Sequence, residues 1–192
     1  MSPADVANLR IAHYPAEILR RKAEPIDPSE QIRDVAQTML KLMVKAEGIG
    51  LAAPQVGLPW RLFVVNVPPP SPDDTDFDPG AYQGLPTATI GPKVYINPTL
   101  SDAEGELEGY EEGCLSLPDI RGTVFRPPII TISALDENGK PFTERAGGLL
   151  ARCWQHEFDH LDGVLILDKM TQMSRLKNRR AVRELEKEAG LR

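Results

Sequence analysis

The stretch Gly148–Leu161 (GLLARCWQHEFDHL) constrains the fold of this chain more than any other. Few of its positions are polar, so it reads as a helix that is largely buried. Such a helix must be enclosed by the rest of the chain, yet this one carries His156, Glu157 and His160. Two histidines at i and i+4 share one helix face a turn apart, where both imidazoles can reach one metal ion. Glu157 lies close enough to a water on such an ion to take and return its proton. Chance placement on an ordinary helix is the competing explanation. It has little to recommend it, because the chain holds only three histidines and two of them are here.

A divalent ion at such a site usually takes a third protein ligand and leaves a position open. The two cysteines, Cys114 and Cys153, are the suppliers to weigh. Cys153 shares the helix, but it stands seven residues from His160, roughly 10.5 Å along the axis at about 1.5 Å per residue. Three side chains of one straight helix would close a tetrahedral site poorly. A ligand from a separate segment closes it better, which favours Cys114 in Glu111-Glu112-Gly113-Cys114-Leu115-Ser116-Leu117-Pro118. Cys153 then becomes a small wall residue. A disulfide between the two is the weaker alternative in a chain of this size.

A third segment, Gly48-Ile49-Gly50-Leu51-Ala52-Ala53-Pro54-Gln55-Val56-Gly57, offers small residues that let a peptide backbone approach. Gln55 brings an amide that can donate to a developing oxyanion or orient a water. A tight turn with an exposed glutamine explains the same residues equally well.

Around these segments the chain reads as a mixed fold. Asp27-Pro28-Ser29-Glu30 marks a helix start, with Asp27 as cap, Pro28 in first position and Glu30 closing a capping box. Ile32, Val35, Ala36, Met39, Leu40 and Met43 continue at helical spacing, and Gly48 ends the helix. Residues 61–67 and 93–97 have strand character. Residues 68–92, rich in proline, glycine and aspartate, form a long loop that is either an inert insertion or carries a role of its own. Residues 129–135 and 141–145 flank Asn138-Gly139 and read as a hairpin. A last amphipathic helix spans about 172–189. The absence of a regular β-α rhythm predicts α+β, with mostly antiparallel strands.

Composition separates the remaining classes. At 192 residues, 41% apolar and 26% charged, the chain suits one soluble domain, or a domain with a tail. No apolar run approaches the roughly 18 residues of a membrane span. The first ten residues lack the pattern of a secretory signal, so a cytoplasmic protein is expected. A net charge of −6 argues against DNA as the substrate. Residues 169–192 nonetheless carry eight bases against three acids. That end is either a solvated helix face or a docking site for something anionic such as ribosomal RNA.

Taken together, GIGLAAPQVG, EEGCLSLP and QHEFDHLDG resemble the three signature motifs of the peptide deformylase family, in the family's order. The resemblance extends from about residue 9 to 170, with the 68–92 loop longer than usual. It implies a catalytic domain over 1–170, followed by a basic amphipathic helix over 171–192. It implies antiparallel sheets packed around the helix that carries the two histidines. It implies metal-dependent removal of the formyl group from the N-terminal formylmethionine of new proteins. By the same resemblance Cys114, His156 and His160 bind the metal, and Glu157 is general base and acid. Gln55 and the Leu115 N–H stabilise the oxyanion, Gly50 bonds the substrate near its formyl group, and Arg121 contacts the peptide. Gly48, Ile49, Glu112, Leu149, Cys153 and His156 line or support the methionine pocket. Iron(II) is the implied ion, with zinc, nickel or cobalt able to replace it. N-formylmethionyl nascent peptides are the implied substrate, and the basic last helix is similar to family members that contact the ribosome. A zinc endopeptidase built on the two-histidine helix is the alternative, although such enzymes usually take their third ligand downstream.

Overall fold

The computed structural model describes residues 3–71, 78, 80–82 and 84–191. A short helix α1 (Pro3–Ala7) leads to α2 (Glu30–Lys45). Strands β1 (Gly50–Ala52) and β2 (Leu62–Val65) follow, then β3 (Lys93–Glu104), β4 (Glu108–Cys114), β5 (Leu117–Arg126), β6 (Ile129–Leu135) and β7 (Pro141–Gly147). The chain closes with α3 (Gly148–Leu161), α4 (Ile166–Lys169) and α5 (Gln172–Glu188). All paired strands are antiparallel, in a five-stranded sheet of order β1-β2-β3-β6-β7 and a separate β4-β5 hairpin. The expected α+β class is the one observed.

The five-stranded sheet lies between two helices, and β2 shows why. All four of its residues are buried. Leu62 and Val64 join Ile32, Val35, Met39 and Met43 of α2 on one face. Phe63 and Val65 join Tyr95, Ile132, Leu150 and Trp154 on the other, against α3. Tyr95 stacks on Phe63 at 4.9 Å and meets Trp154 edge-on at 5.8 Å. A strand buried on both faces reads as a continuous apolar run, as RLFVVNV does. Leu117, Ile120 and Val124 of β5 form a third cluster with Ile166 and Met170, and Ala181, Val182 and Leu185 of α5 pack onto it.

Helix α2 begins later than its sequence suggests. Ser29, not Asp27, is the cap, and its hydroxyl accepts from the Ile32 N–H at 3.3 Å. Pro28 precedes the cap, and Ser29 itself is extended. Ser29→Ala should therefore cost about 1 kcal/mol. Thermal denaturation should show that as a fall in Tm of about 2–4 °C for a chain of this size. Asp27→Ala should leave Tm unchanged.

The expected strand and helix at 129–135 and 148–161 match β6 and α3 residue for residue. The strand readings at 61–67 and 93–97 bracket a shorter β2 and begin a longer β3. Of the 68–92 loop, residues 72–77, 79 and 83 lie outside the described residues. Its remainder is tied to the start of α3: the Gly147 N–H donates to Pro86 O at 3.0 Å and the Leu150 N–H to Thr87 O at 3.1 Å. These bonds satisfy N–H groups that a helix start leaves open. Among the described residues no helix is long and apolar enough to cross a membrane.

Candidate active site

Helix α3 sets His156 and His160 on one face, with ring centroids 5.0 Å apart. Cys114 reaches them from the end of β4, where the hairpin register breaks between Gly113 and Cys114. Its Sγ lies 3.2 Å from His160 Nε2, and one ligand atom from each of the three residues falls within 4.8 Å of the others. Cys153 is turned away, its Sγ toward Ile49 O at 3.7 Å, and both cysteines are free thiols. A thiolate and two imidazoles from two separate elements form a donor set that fits a divalent transition metal.

Glu157 sits beside this group, buried, and among the described residues its Oε2 has no hydrogen-bond partner. Burial pushes its carboxyl up to about 7; Glu112 pushes the same way and His156 opposes. β1 passes so close that a Cβ on Gly50 would stand 2.3 Å from Glu157 Oε1 and 2.9 Å from Cys153 Sγ. Only glycine allows that approach. Gly48 has a similar role, since a Cβ there would lie 2.7 Å from Leu115 Cδ1.

Gln55 belongs to a short 3-10 segment, Ala53–Val56, directly after β1. It is 1% exposed, so the reading of an exposed turn glutamine does not hold. Its Oε1 accepts from the Ala52 N–H at 2.8 Å, which orients the amide. Its Nε2 then donates toward Ser116 Oγ at 3.3 Å and Cys114 Sγ at 3.5 Å. The amide nitrogen thus faces the space beside the three ligand atoms.

Glu112 lines the same cleft and is anchored from behind. Both carboxylate oxygens are taken up inside the protein. Oε1 accepts from Arg126 Nε at 2.7 Å and Arg152 Nη1 at 2.8 Å. Oε2 accepts from Arg126 Nη2 at 2.9 Å and lies 3.0 Å from His156 Nδ1. A carboxylate on the second ring nitrogen fixes the imidazole and directs Nε2 outward. Burial alone would raise Glu112; hydrogen bonds from His156 and Arg126 instead hold it well below the usual carboxylate range. Arg126 extends the network to Asp159 at 2.8 Å, one residue before His160. Burial, then His156 and Arg126, push His160 well below its ordinary value; burial would lower His156 too, but hydrogen bonds with Cys114 and Glu112 raise it well above. No motif or spacing pointed to Arg126 or Arg152, and Asp159 stands inside QHEFDHLDG without a role assigned to it.

The remaining expected residues converge. Gly48, Ile49, Gly50, Leu115, Arg121, Leu149 and Cys153 line one cleft of about 660 Å³ together with Gln55, Cys114, His156 and Glu157. His160 forms the buried back of the ligand group.

The profile of the polypeptide deformylase family matches residues 8–176. A peptide deformylase of Opitutus terrae is 45% identical over 170 residues, covering 88% of each chain. One from Christiangramia forsetii is 41% identical over 168 residues, covering 87% of this chain and 84% of its own. The crystal structure of peptide deformylase from Ehrlichia chaffeensis superposes with a TM-score of 0.81 at 34% identity, over 94% of this chain and 96% of that one. A Plasmodium falciparum peptide deformylase in complex with inhibitor gives 0.77 at 35% identity, over 93% and 99%. With the profile spanning most of its length and relatives this similar, the chain belongs to the peptide deformylase family, metal-dependent hydrolases that remove the formyl group from formylmethionyl peptides.

Proposed function

We propose that the cleft holds an N-formylmethionyl peptide and hydrolyses its formyl amide, with Glu157 as general base and then general acid. The observation that carries this reading is the meeting of Cys114 Sγ with two imidazoles beside a buried, unpartnered carboxylate oxygen. Cys114, His156 and His160 would hold one ion, which when bound supplies a Lewis acid and a water with a pKa lowered toward about 7. Glu157 takes the proton of the attacking water and later delivers it to the leaving amine nitrogen. Gln55 Nε2 and the Leu115 N–H face the developing oxyanion. Gly50 and Arg121 hold the peptide, and the methionine side chain runs past Gly48, Ile49, Cys153 and Leu149. Glu112 supports that wall and orients His156.

Formate release from formyl-Met peptides, by protein loaded anaerobically with iron(II), tests the reading. Cleavage of internal peptide bonds instead would favour the endopeptidase alternative, to which the family relatives lend no support. Gln55→Ala should slow formate release by about 10²–10³ with the fold unchanged. We assign iron(II) as the physiological ion on family likeness, with zinc, nickel and cobalt suited to the same donors.

The basic α5 supplies a partner reading. Arg175, Arg179 and Arg183, four residues apart, share one helix face and border a groove of about 420 Å³ with Arg20. We propose that this face contacts ribosomal RNA and that the enzyme works in the cytoplasm, at the site of synthesis. Co-sedimentation with ribosomes should weaken as salt rises and in an Arg179→Glu/Arg183→Glu variant. Binding insensitive to both would exclude it.

A further inference from the structure

Beyond the catalytic cleft, toward the N-terminal end of α3, lies a second cavity of about 140 Å³. One side is built by the 68–92 loop through Pro68, Pro70, Tyr82 and Thr87. That side is held in place, since Pro86 and Thr87 accept backbone bonds from Gly147 and Leu150. Tyr82 also packs so tightly that a Cβ on Gly147 would stand 2.6 Å from it. Tyr110, Leu149 and Arg152 line both the cleft and this cavity, so they form the partition between the two.

The partition stands where a substrate side chain would end. His156 and Leu149 are seven residues apart on α3, roughly 10.5 Å along its axis. A side chain starting at the reacting centre and running along α3 passes Cys153, then meets Leu149 and Arg152. Arg152 is 8% exposed and braced: Nη1 donates to Glu112 and to Val124 O, and Nη2 donates to Glu108 O at 2.8 Å. Its guanidinium lies 5.3 Å from the centre of the Tyr110 ring. Leu149 is the soft part of the wall, an apolar side chain 42% exposed. Pro68, Pro70, Pro127 and Pro128 with Leu149 make most of the cavity wall apolar, and Glu108 and Arg152 add two charged side chains to it; a mainly apolar space of roughly 150 Å³ accepts a benzene-sized group.

We propose that this partition sets the length of N-terminal side chain that the enzyme accepts, and that the cavity behind it is a latent subsite for an apolar group of benzene size. The proposal rests on the deformylase reading of the cleft. The 68–92 loop is then part of substrate selection and not an inert insertion.

The test compares two substrates: a formyl-methionyl peptide, and the same peptide beginning with formyl-S-benzylhomocysteine, which is methionine with a phenyl ring on its terminal methyl. Leu149→Ala should raise the kcat/KM ratio of the benzyl substrate over the methionine substrate by about 10- to 100-fold. Tyr110→Ala should shift it the same way. Adding Glu108→Phe to Leu149→Ala refills the cavity and leaves the carbonyl that Arg152 uses; the ratio should then return to the wild-type value. An unchanged ratio in both single variants would overturn the proposal. So would a gain that survives Glu108→Phe, because the extra room would then lie in the cleft. Wild-type protein inactive on the formyl-methionyl peptide would sink the deformylase reading itself, and the subsite with it.

Discussion

Metal-loaded Glu157→Ala protein should release formate more slowly than wild type by at least about 10³-fold, near the upper range for loss of a general acid-base group. The variant removes the proton carrier for both halves of the reaction. Attack needs a base, and departure of the amine needs an acid. Gln55 and the Leu115 N–H remain, so residual turnover above background is expected. Glu157 is not in the ligand group formed by Cys114, His156 and His160, so metal content should stay near one ion per chain. The fold should tolerate the change, because Oε2 has no hydrogen-bond partner to lose. Metal analysis and single-turnover formate release on one preparation check this. Rapid turnover with full metal would remove Glu157 from the chemistry. Lost metal would instead make it a support of the site.

The second large effect falls on stability. Arg126→Met should destabilise the protein by about 3–5 kcal/mol, the usual cost of removing one partner from a buried ion pair. Arg126 makes two hydrogen bonds to Glu112 and one to Asp159, and it is almost wholly buried. Methionine fills much of the space but leaves Glu112 with only Arg152 and His156. At about 2–4 °C per kcal/mol, Tm should fall by roughly 6–20 °C. The same change loosens His156, so metal affinity should fall by about 10–100-fold. Arg126→Lys keeps the charge but not the fork, and should fall between wild type and Arg126→Met on both measures. A Tm within a degree or two of wild type would show that the network contributes little.

Local periodicity carried as far as local causes reach. Helix α3 and strand β6 are legible to the residue because an apolar run opens the one and β-branched alternation fills the other. The i, i+4 histidines follow from helix geometry, and the choice of Cys114 over Cys153 follows from axial rise. β4 escaped notice for a physical reason. Its one buried side chain, Glu112, is itself charged, so no apolar alternation marks the strand. Ser29 and Asp27 are both residue types that cap, and the structure shows Ser29 taking the Ile32 N–H. The Glu112–Arg126–Asp159 network had no local mark. Its members come from β4, β5 and α3, and charges separated this far in sequence meet only once the hairpin lies on α3.

The double-sided burial of β2 leaves a question of alignment that hydropathy cannot answer. Sliding β2 by one residue would exchange Leu62 and Val64 with Phe63 and Val65, apolar for apolar, so no polar group would resist the shift. The peg is Asn97. Its side chain bonds both the N–H and the carbonyl of Ile26, and its backbone N–H donates to Arg61 O at 2.7 Å. The pairing of Gly50 with Val65 passes that alignment on to β1. A slip carried through it would set Ile49 or Leu51 against Glu157, where there is no space for a side chain, and an asparagine remote from the reacting atoms thereby guards the working geometry.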